Sequence, residues 1–301
     1  MRMALFKLAS KLFSKLGLHL IPRHYYQPIP EESDLSDKYF ETVSEMPGLV
    51  IHDQIPLGLL DTVFVRYMTE FRDQFSDFEN KKIEPWHFFL INGSYMAIDA
   101  QCYYSFIRHF KPKYIVEIGG GHSSLLAGAA CVRNFQETGN QTKLTIIEPY
   151  PSRLLREGFP GLSKLVVSKV QDIDLRFFES LESGDILFID SSHVLRSGGD
   201  VQYEYLEILP RLKPGVLVHV HDISLPKAYP RVYSENRLFW NEQFLLQAFL
   251  AFNSKFEIVW PGNYMMIKYP DKLLAVFPEF KIMRQHYPQS EPTSFWMRVR
   301  E

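Results

Sequence analysis

The first 20 residues set leucines against lysines at helical spacing. Leu5, Leu8, Leu12 and Leu16 share one face, and Lys7, Lys11 and Lys15 form a basic row that drifts from the opposite face to its flank. This pattern predicts an amphipathic helix over residues 1–22. The proline- and tyrosine-rich run from Pro22 to Pro30 cannot continue that helix and reads as a connector. Residues 31–112 read as mostly helical, within a region bounded at 23–112. Leu59 to Phe75 is apolar on one face, Trp86 to Ile91 is an aromatic run of core type, and Met96 to Phe110 is a helix that stops before Pro112. The expectation is a helical cap with a lead-in helix.

From Lys113 the pattern changes. Short apolar runs alternate with helical segments, the mark of a doubly wound α/β sheet. Tyr114–Ile118, Leu144–Ile147, Leu165–Val170, Asp185–Ile189 and Val216–Val220 are predicted strands, and Asp200–Leu212 is a predicted helix. Ser224 to Asn253, with a helix from about Phe239, reads as a cover over the site. Phe256–Trp260 and Met265–Tyr269 flank Pro261-Gly262-Asn263, which predicts a closing antiparallel hairpin. The core is thus expected over residues 113–270, with the cover at 224–253 and a C-terminal tail at 271–301 to which the pattern assigns no role.

Composition narrows the partners. At 301 residues and 46% hydrophobic the chain can bury a sizeable core, and 15% aromatic suits a lined cleft. A net charge of −2 gives no bulk attraction to nucleic acid. Cys102 and Cys131 have no metal-type spacing and fit a reducing compartment. No apolar run approaches the roughly 18 residues of a membrane span, and lysines break the N-terminal leucines too often for a signal peptide. A cytoplasmic location follows as the expectation. The N-terminal helix then docks on its own domain, docks on a second subunit of a homo-oligomer, or lies on an anionic membrane surface.

The candidate chemistry gathers at strand ends. After Tyr114–Ile118, Gly119, Gly120 and Gly121 turn the chain, and Ser123 or Ser124 can cap the next helix, with Leu125, Leu126 and Ala129 on its inner face. Such a turn lets backbone N–H groups and a helix N-terminus meet a ligand. A dinucleotide fingerprint has a third glycine where this chain has Ser124. Glu117, two residues before the first glycine, would repel a pyrophosphate and suits a cationic ligand such as the amino group of S-adenosylmethionine (SAM). Later strands end at Glu148, at Gln171-Asp172, at Asp190 and at His221-Asp222. Ligands of open α/β sheets bind beyond those ends. His219 points to the same side as His221 if the strand is regular, and reads as a core or base residue.

With EIGGGHSS, TIIEP, Gln171-Asp172, FIDSSH and LKPGVLVHVHD in this order, residues 115–269 resemble class I SAM-dependent methyltransferases, specifically the bacterial small-molecule O-methyltransferases of macrocin and catechol type. The resemblance implies a seven-stranded Rossmann-like sheet. It implies that Glu117, Gly119, Gly120, Gly121, Ser123 and Ser124 hold the amino acid part of SAM, that Glu148 takes the ribose diol, and that Asp172 accepts from the adenine amino group. It also implies a divalent cation at Asp190, His221 and Asp222, with His193 and Asp190 in catalysis. Ser123 departs from the family's third glycine. His221 stands where the family has an oxygen ligand, which makes Mn²⁺ or Fe²⁺ as suitable as Mg²⁺. The implied reaction is methyl transfer to a hydroxyl of a small molecule such as a sugar or phenol. The alternatives are a metal-using hydroxylase on the same fold, a NAD(P)-dependent oxidoreductase, and a non-catalytic SAM-binding protein.

Overall fold

In the computed structural model the described residues are 2–21, 26–75 and 84–301. Residues 22–25 of the expected connector, and the side chains of Leu5, Lys7 and Leu8, lie outside them. Seven strands form one sheet in the order β3-β2-β1-β4-β5-β7-β6. They are β1 (Tyr114–Ile118), β2 (Lys143–Ile147), β3 (Leu162–Val166), β4 (Ile186–Ile189), β5 (Leu217–Val220), β6 (Phe256–Pro261) and β7 (Phe295–Val299). Neighbours among β1 to β5 pair in parallel, and β7 runs antiparallel between β5 and β6. This is the α/β doubly wound, Rossmann-like sheet that the alternating pattern predicts.

Side chains alternate across the strands, so each strand feeds two cores. Ile115, Phe188 and Leu217 join one core; Val116, Leu187 and Val218 join the other. On the first face lies the helix Asp99–Phe110, ten of whose twelve residues are buried. Over it lie the helical residues 54–74, which run as Gln54–Leu59, a π turn Leu60–Phe64 and Val65–Gln74. Phe64 is the joint between these layers, with ring centroids 4.6 Å from Trp260, 5.3 Å from Phe106 and 5.7 Å from Phe277. Residues 54–74 are therefore a packed layer of the core and not a cap set apart from it. Among the described residues no helix is long and apolar enough to cross a membrane.

Two expected elements are displaced. The third strand is Leu162–Val166, not Leu165–Val170, because pairing with β2 sets its register: Leu144 meets Leu162 and Ile147 meets Val166. It begins directly after Gly161, where an added Cβ would lie 2.2 Å from the Gly128 carbonyl oxygen. The second strand of the closing hairpin is not Met265–Tyr269. Those residues fall in the helix Gly262–Lys268 and its end, with Met265 turned into the core and Lys268 outward. The strand that pairs with β6 comes from the tail instead. Phe295, Trp296 and Met297 are buried in succession because β7 is covered on both faces.

The tail thus belongs to the core, and Trp296 tests this. Its ring lies 4.4 Å from Phe106 and 4.6 Å from His219. Trp296→Ala is expected to cost about 3–5 kcal/mol of stability in denaturant unfolding; a cost under about 1 kcal/mol would contradict a structural tail.

Candidate active site

The parallel ladder continues one residue past the strands. Gly119 N–H donates to Ile147 (3.0 Å), Glu148 N–H to Val166 (3.0 Å), Asp190 N–H to Ile118 (2.8 Å) and His221 N–H to Ile189 (2.9 Å). Gly119, Glu148, Asp190 and His221 therefore stand in a row along the carboxyl edge. The row crosses the β1/β4 boundary, where the winding direction reverses and a crevice opens.

A cavity of about 300 Å³ lies at that boundary, lined by Gly119, Glu148, Tyr150, Gln171, Asp190 and Ser192 among others. Gly119 has φ +88°, and a Cβ there would lie 1.9 Å from the Asp190 carbonyl oxygen, so only glycine fits. Glu148 Oε2 accepts from the Gly120 N–H at 3.3 Å and Oε1 from the Tyr150 N–H at 2.8 Å, which fixes the carboxylate at the cavity rim. Asp172, expected at the adenine, is exposed and outside this lining. The short helical turn Val170–Asp172 carries it past the cavity and leaves Gln171 there.

Glu117 is not at the cavity surface. Its exposure is 0%, and its carboxylate accepts from Tyr103 Oη at 2.9 Å and from Ser124 Oγ. Ser124 Oγ in turn accepts from the Gly121 N–H at 3.2 Å. The helix His122–Thr138 has Gly121 as its N-cap, so neither Ser123 nor Ser124 is the cap; Ser124 braces the turn from the third helical position. Burial pushes the Glu117 carboxyl up to about 7; the Ser124 and Tyr103 hydrogen bonds oppose this, and Asp190 adds to it. The residue that reads as a ligand from sequence is thus the support beneath the glycine turn.

The second constellation does assemble. Single ligand atoms of Asp190, His193 and Asp222 all lie within 4.8 Å of one another. His193 Nε2 is 3.2 Å from Asp190 Oδ1 and 3.5 Å from Asp222 Oδ2, while its Nδ1 is 2.9 Å from Glu242 Oε2. His221 mirrors it. Its Nδ1 is 3.4 Å from Asp190 Oδ1 and 3.7 Å from Asp222 Oδ2, and its Nε2 is 3.5 Å from Asp99 Oδ2. Each imidazole therefore turns one nitrogen to the Asp190–Asp222 pair and the other to a buried carboxylate. Burial alone would lower the His193 pKa, but the hydrogen bonds to Asp190 and Glu242 and the charge of Asp222 raise it well above its usual value. His193 and Asp222 hold left-handed backbones, φ 58° and 55°, a strained choice that clusters at functional sites.

This donor set fits a divalent cation. Four carboxylates, those of Asp99, Asp190, Asp222 and Glu242, face two imidazoles, an acid-rich donor set of the kind that takes up a cation. His221 Nδ1 is buried without a hydrogen-bond partner. In metal sites a ligating imidazole is usually backed by a carboxylate on its other nitrogen, as Glu242 backs His193 and Asp99 backs His221. Compared with the expected set of Asp190, His221 and Asp222, the group of converging ligand atoms has His193, enclosed and facing both aspartates, in the place of His221. His193 thus stands within the cluster of ligand-type groups. His219 is a core ring stacked on Trp296, and burial lowers its pKa well below the usual value.

A further cavity of about 470 Å³ opens on the other side of the cluster, where Asp99, His221 and Asp222 reach its lining. Its walls include Ser94, Met96, Tyr233, Tyr287 and Glu291. The expected cover contributes only Pro230, Val232 and Tyr233, and residues between Met283 and Thr293 contribute much of the rest. Sequence reasoning missed Asp99, Tyr103 and Glu242. The one available signal was a lone acid at the start of an apolar helix, as in Ile98-Asp99-Ala100 and Asn241-Glu242-Gln243.

A family model described as a methyltransferase domain matches residues 116–223. An uncharacterised protein of Archaeoglobus fulgidus is 34% identical over 184 residues, which cover 57% of this chain and 78% of that one. Among solved structures the chain is similar to an O-methyltransferase from Bacillus cereus in complex with S-adenosylhomocysteine (SAH), at 11% identity and TM-score 0.37, over 82% of this chain and 97% of that one. It is also similar to an SAH-bound methyltransferase from Podospora anserina, at 14% identity and TM-score 0.42, over 94% and 100%.

The buried Glu117 has a pH signature. Its folded pKa, about 7, lies above the usual carboxyl value, so its contribution to stability is full below about pH 4.5 and is lost as pH rises through 7. Unfolding of wild type and Glu117→Gln at pH 5 and pH 8 should show the variant gaining relative stability at the higher pH, by up to about 3 kcal/mol. A difference that does not move with pH would mean that Glu117 is ionised throughout.

Proposed function

The chain belongs to the class I SAM-dependent methyltransferases, and from this premise we propose that it transfers the methyl group of SAM to a hydroxyl of a small, uncharged molecule. The observation that carries this reading is the cluster of Asp190, His193, His221 and Asp222 standing between two cavities. Asp190 lines one of them; His221 and Asp222 line the other.

In this reading SAM occupies the smaller cavity. The glycine turn receives its amino acid end at the start of the helix His122–Thr138, and Glu148 accepts from the ribose hydroxyls. Gln171, in place of Asp172, stands nearest to the adenine. Glu117 and Ser124 keep the turn in shape from beneath. SAM carries the reactive methyl, so the protein has to align an oxygen with it and take up a proton.

The acceptor enters the larger cavity, whose volume suits a small ligand. No lysine or arginine lines that cavity among the described residues, while Asp99, Asp222 and Glu291 do. Lys227 and Arg284, which lie nearby, are paired with Glu291 at 3.3 and 2.7 Å. A phosphorylated or carboxylated acceptor would meet repulsion there, whereas a neutral polyol or phenol would not. Asp190, His193 and Asp222, with His221 on the acceptor side, would hold a divalent cation. When bound, such an ion lowers the pKa of an acceptor hydroxyl and fixes its oxygen. Glu242 holds the His193 ring and Asp99 holds the His221 ring, so neither imidazole can turn away. Asp222 offers the carboxylate edge at the acceptor cavity to which a hydroxyl proton can pass.

Two measurements test the halves separately. By calorimetry, SAM and SAH should bind and NADPH should not, and Glu148→Ala should weaken SAM by roughly 1–3 kcal/mol, the cost of an unmet hydroxyl. NADPH heat without SAM heat would overturn the assignment of the smaller cavity. Elemental analysis should find a divalent metal in the purified wild type and a loss of it in Asp222→Asn, with SAM affinity retained because Asp222 lines only the acceptor side. Equal metal content in both proteins would remove the cation from the proposal.

A further inference from the structure

The N-terminal segment is the least accounted-for part of the molecule. Residues 2–14 form a helix, and every residue from Lys11 to Ile21 is exposed. That leaves Leu12 64%, Leu16 71% and Leu18 53% open to water, with Phe13, Leu20 and Ile21 exposed beside them. Among the described side chains, those from Lys11 to Ile21 are thus not docked on the chain's own domain. A contiguous run of exposed apolar side chains marks an interaction surface.

Charge identifies the kind of surface it meets. Residues 1–30 hold five of the chain's 33 lysines and arginines and none of its 35 acidic residues. The first acid is Glu31, so the remaining residues carry 28 basic against 35 acidic groups. The small net charge of the whole chain conceals this division. Lys11 and Lys15 are exposed beside the leucines. Leucines and a phenylalanine with interspersed lysines suit an interface where an apolar phase lies under anionic groups. The apolar residues also continue past the helix end, through Leu18, Leu20 and Ile21, where no helical face orders them. A fluid apolar layer accepts such a run more readily than a shaped protein groove does.

We infer that residues 2–21 attach this protein reversibly to an anionic lipid surface, with the body of the molecule held outside the bilayer. A single amphipathic helix gives modest, salt-sensitive binding. The attachment does not depend on the reaction assigned above.

The test is flotation of the full-length protein with vesicles of phosphatidylcholine alone or with about one-third phosphatidylglycerol, at about 50 mM and about 500 mM salt. Recovery should be at least about tenfold higher with the anionic vesicles at low salt and should fall at high salt. The paired substitutions Leu12→Asp with Leu16→Asp, and Lys11→Glu with Lys15→Glu, should each remove most of it, while SAM binding and the thermal midpoint stay at wild-type values. Equal recovery with neutral vesicles, or none with either, overturns the inference. If the leucine pair instead lowers the oligomeric mass in light scattering, and no flotation occurs, the surface is occupied by a second copy of this chain.

Discussion

A carboxylate buried in a protein has to be met by donors on every side, and Asp99 is such a group. It is 4% exposed and accepts from the N–H and Oγ1 of Thr293 and from the N–H of Ser294, at 2.9 to 3.2 Å, while facing His221 at 3.5 Å. Leaving it unpaired would cost several kcal/mol. That requirement draws together the first turn of the helix Asp99–Phe110, the approach to β7 and the end of β5. One turn further along the same helix, Tyr103 bonds to Glu117, and Glu117 leads through Ser124 to the glycine turn. One buried helix thus stands behind both cavities, and neither the turn nor the histidine pair is positioned by its own strand alone.

This arrangement explains how so many acids are tolerated at one edge of a sheet. Glu117 is set apart from the rest: burial favours its neutral form, and two hydroxyls hold it. Asp190 and Asp222 face imidazoles, and Asp99 and Glu242 each hold one imidazole from behind. Acids therefore outnumber the imidazoles they face, and each imidazole is held between two of them. The boundary between the cavities then coincides with the boundary between the groups that shape the glycine turn and the carboxylate–imidazole cluster.

The outer part of the molecule follows a different rule. Residues 54–74 and the tail are far apart in sequence, yet both fill the first face of the sheet, through Phe64 and Phe277 at 5.7 Å. β7 reaches its place between β5 and β6 only after helices occupy the connection. The segment that leads into β7 also lines the larger cavity through Met283, Tyr287, Glu291 and Thr293, so this part of the chain both completes the sheet and walls that cavity.

What the sequence by itself determined is the part governed by local pattern. Apolar runs of strand length, each followed by an acid, a histidine or a glycine, placed β1, β2, β4 and β5, and with them Glu148, Asp190, His221 and Asp222 on one edge. The glycine turn was legible because Gly119 answers a local demand, a positive φ against the Asp190 carbonyl. Tertiary structure decided whatever depends on a partner distant in sequence. Met265–Tyr269 and Phe295–Val299 are both apolar runs, and only pairing with β6 and β5 makes the second a strand. Glu117 looks like a ligand until Tyr103 and Ser124 enclose it, and Asp172 until the turn at Val170 carries it outward. Asp99 and Glu242 show no role until each meets a histidine 122 and 49 positions away in sequence, a distance over which no spacing rule operates.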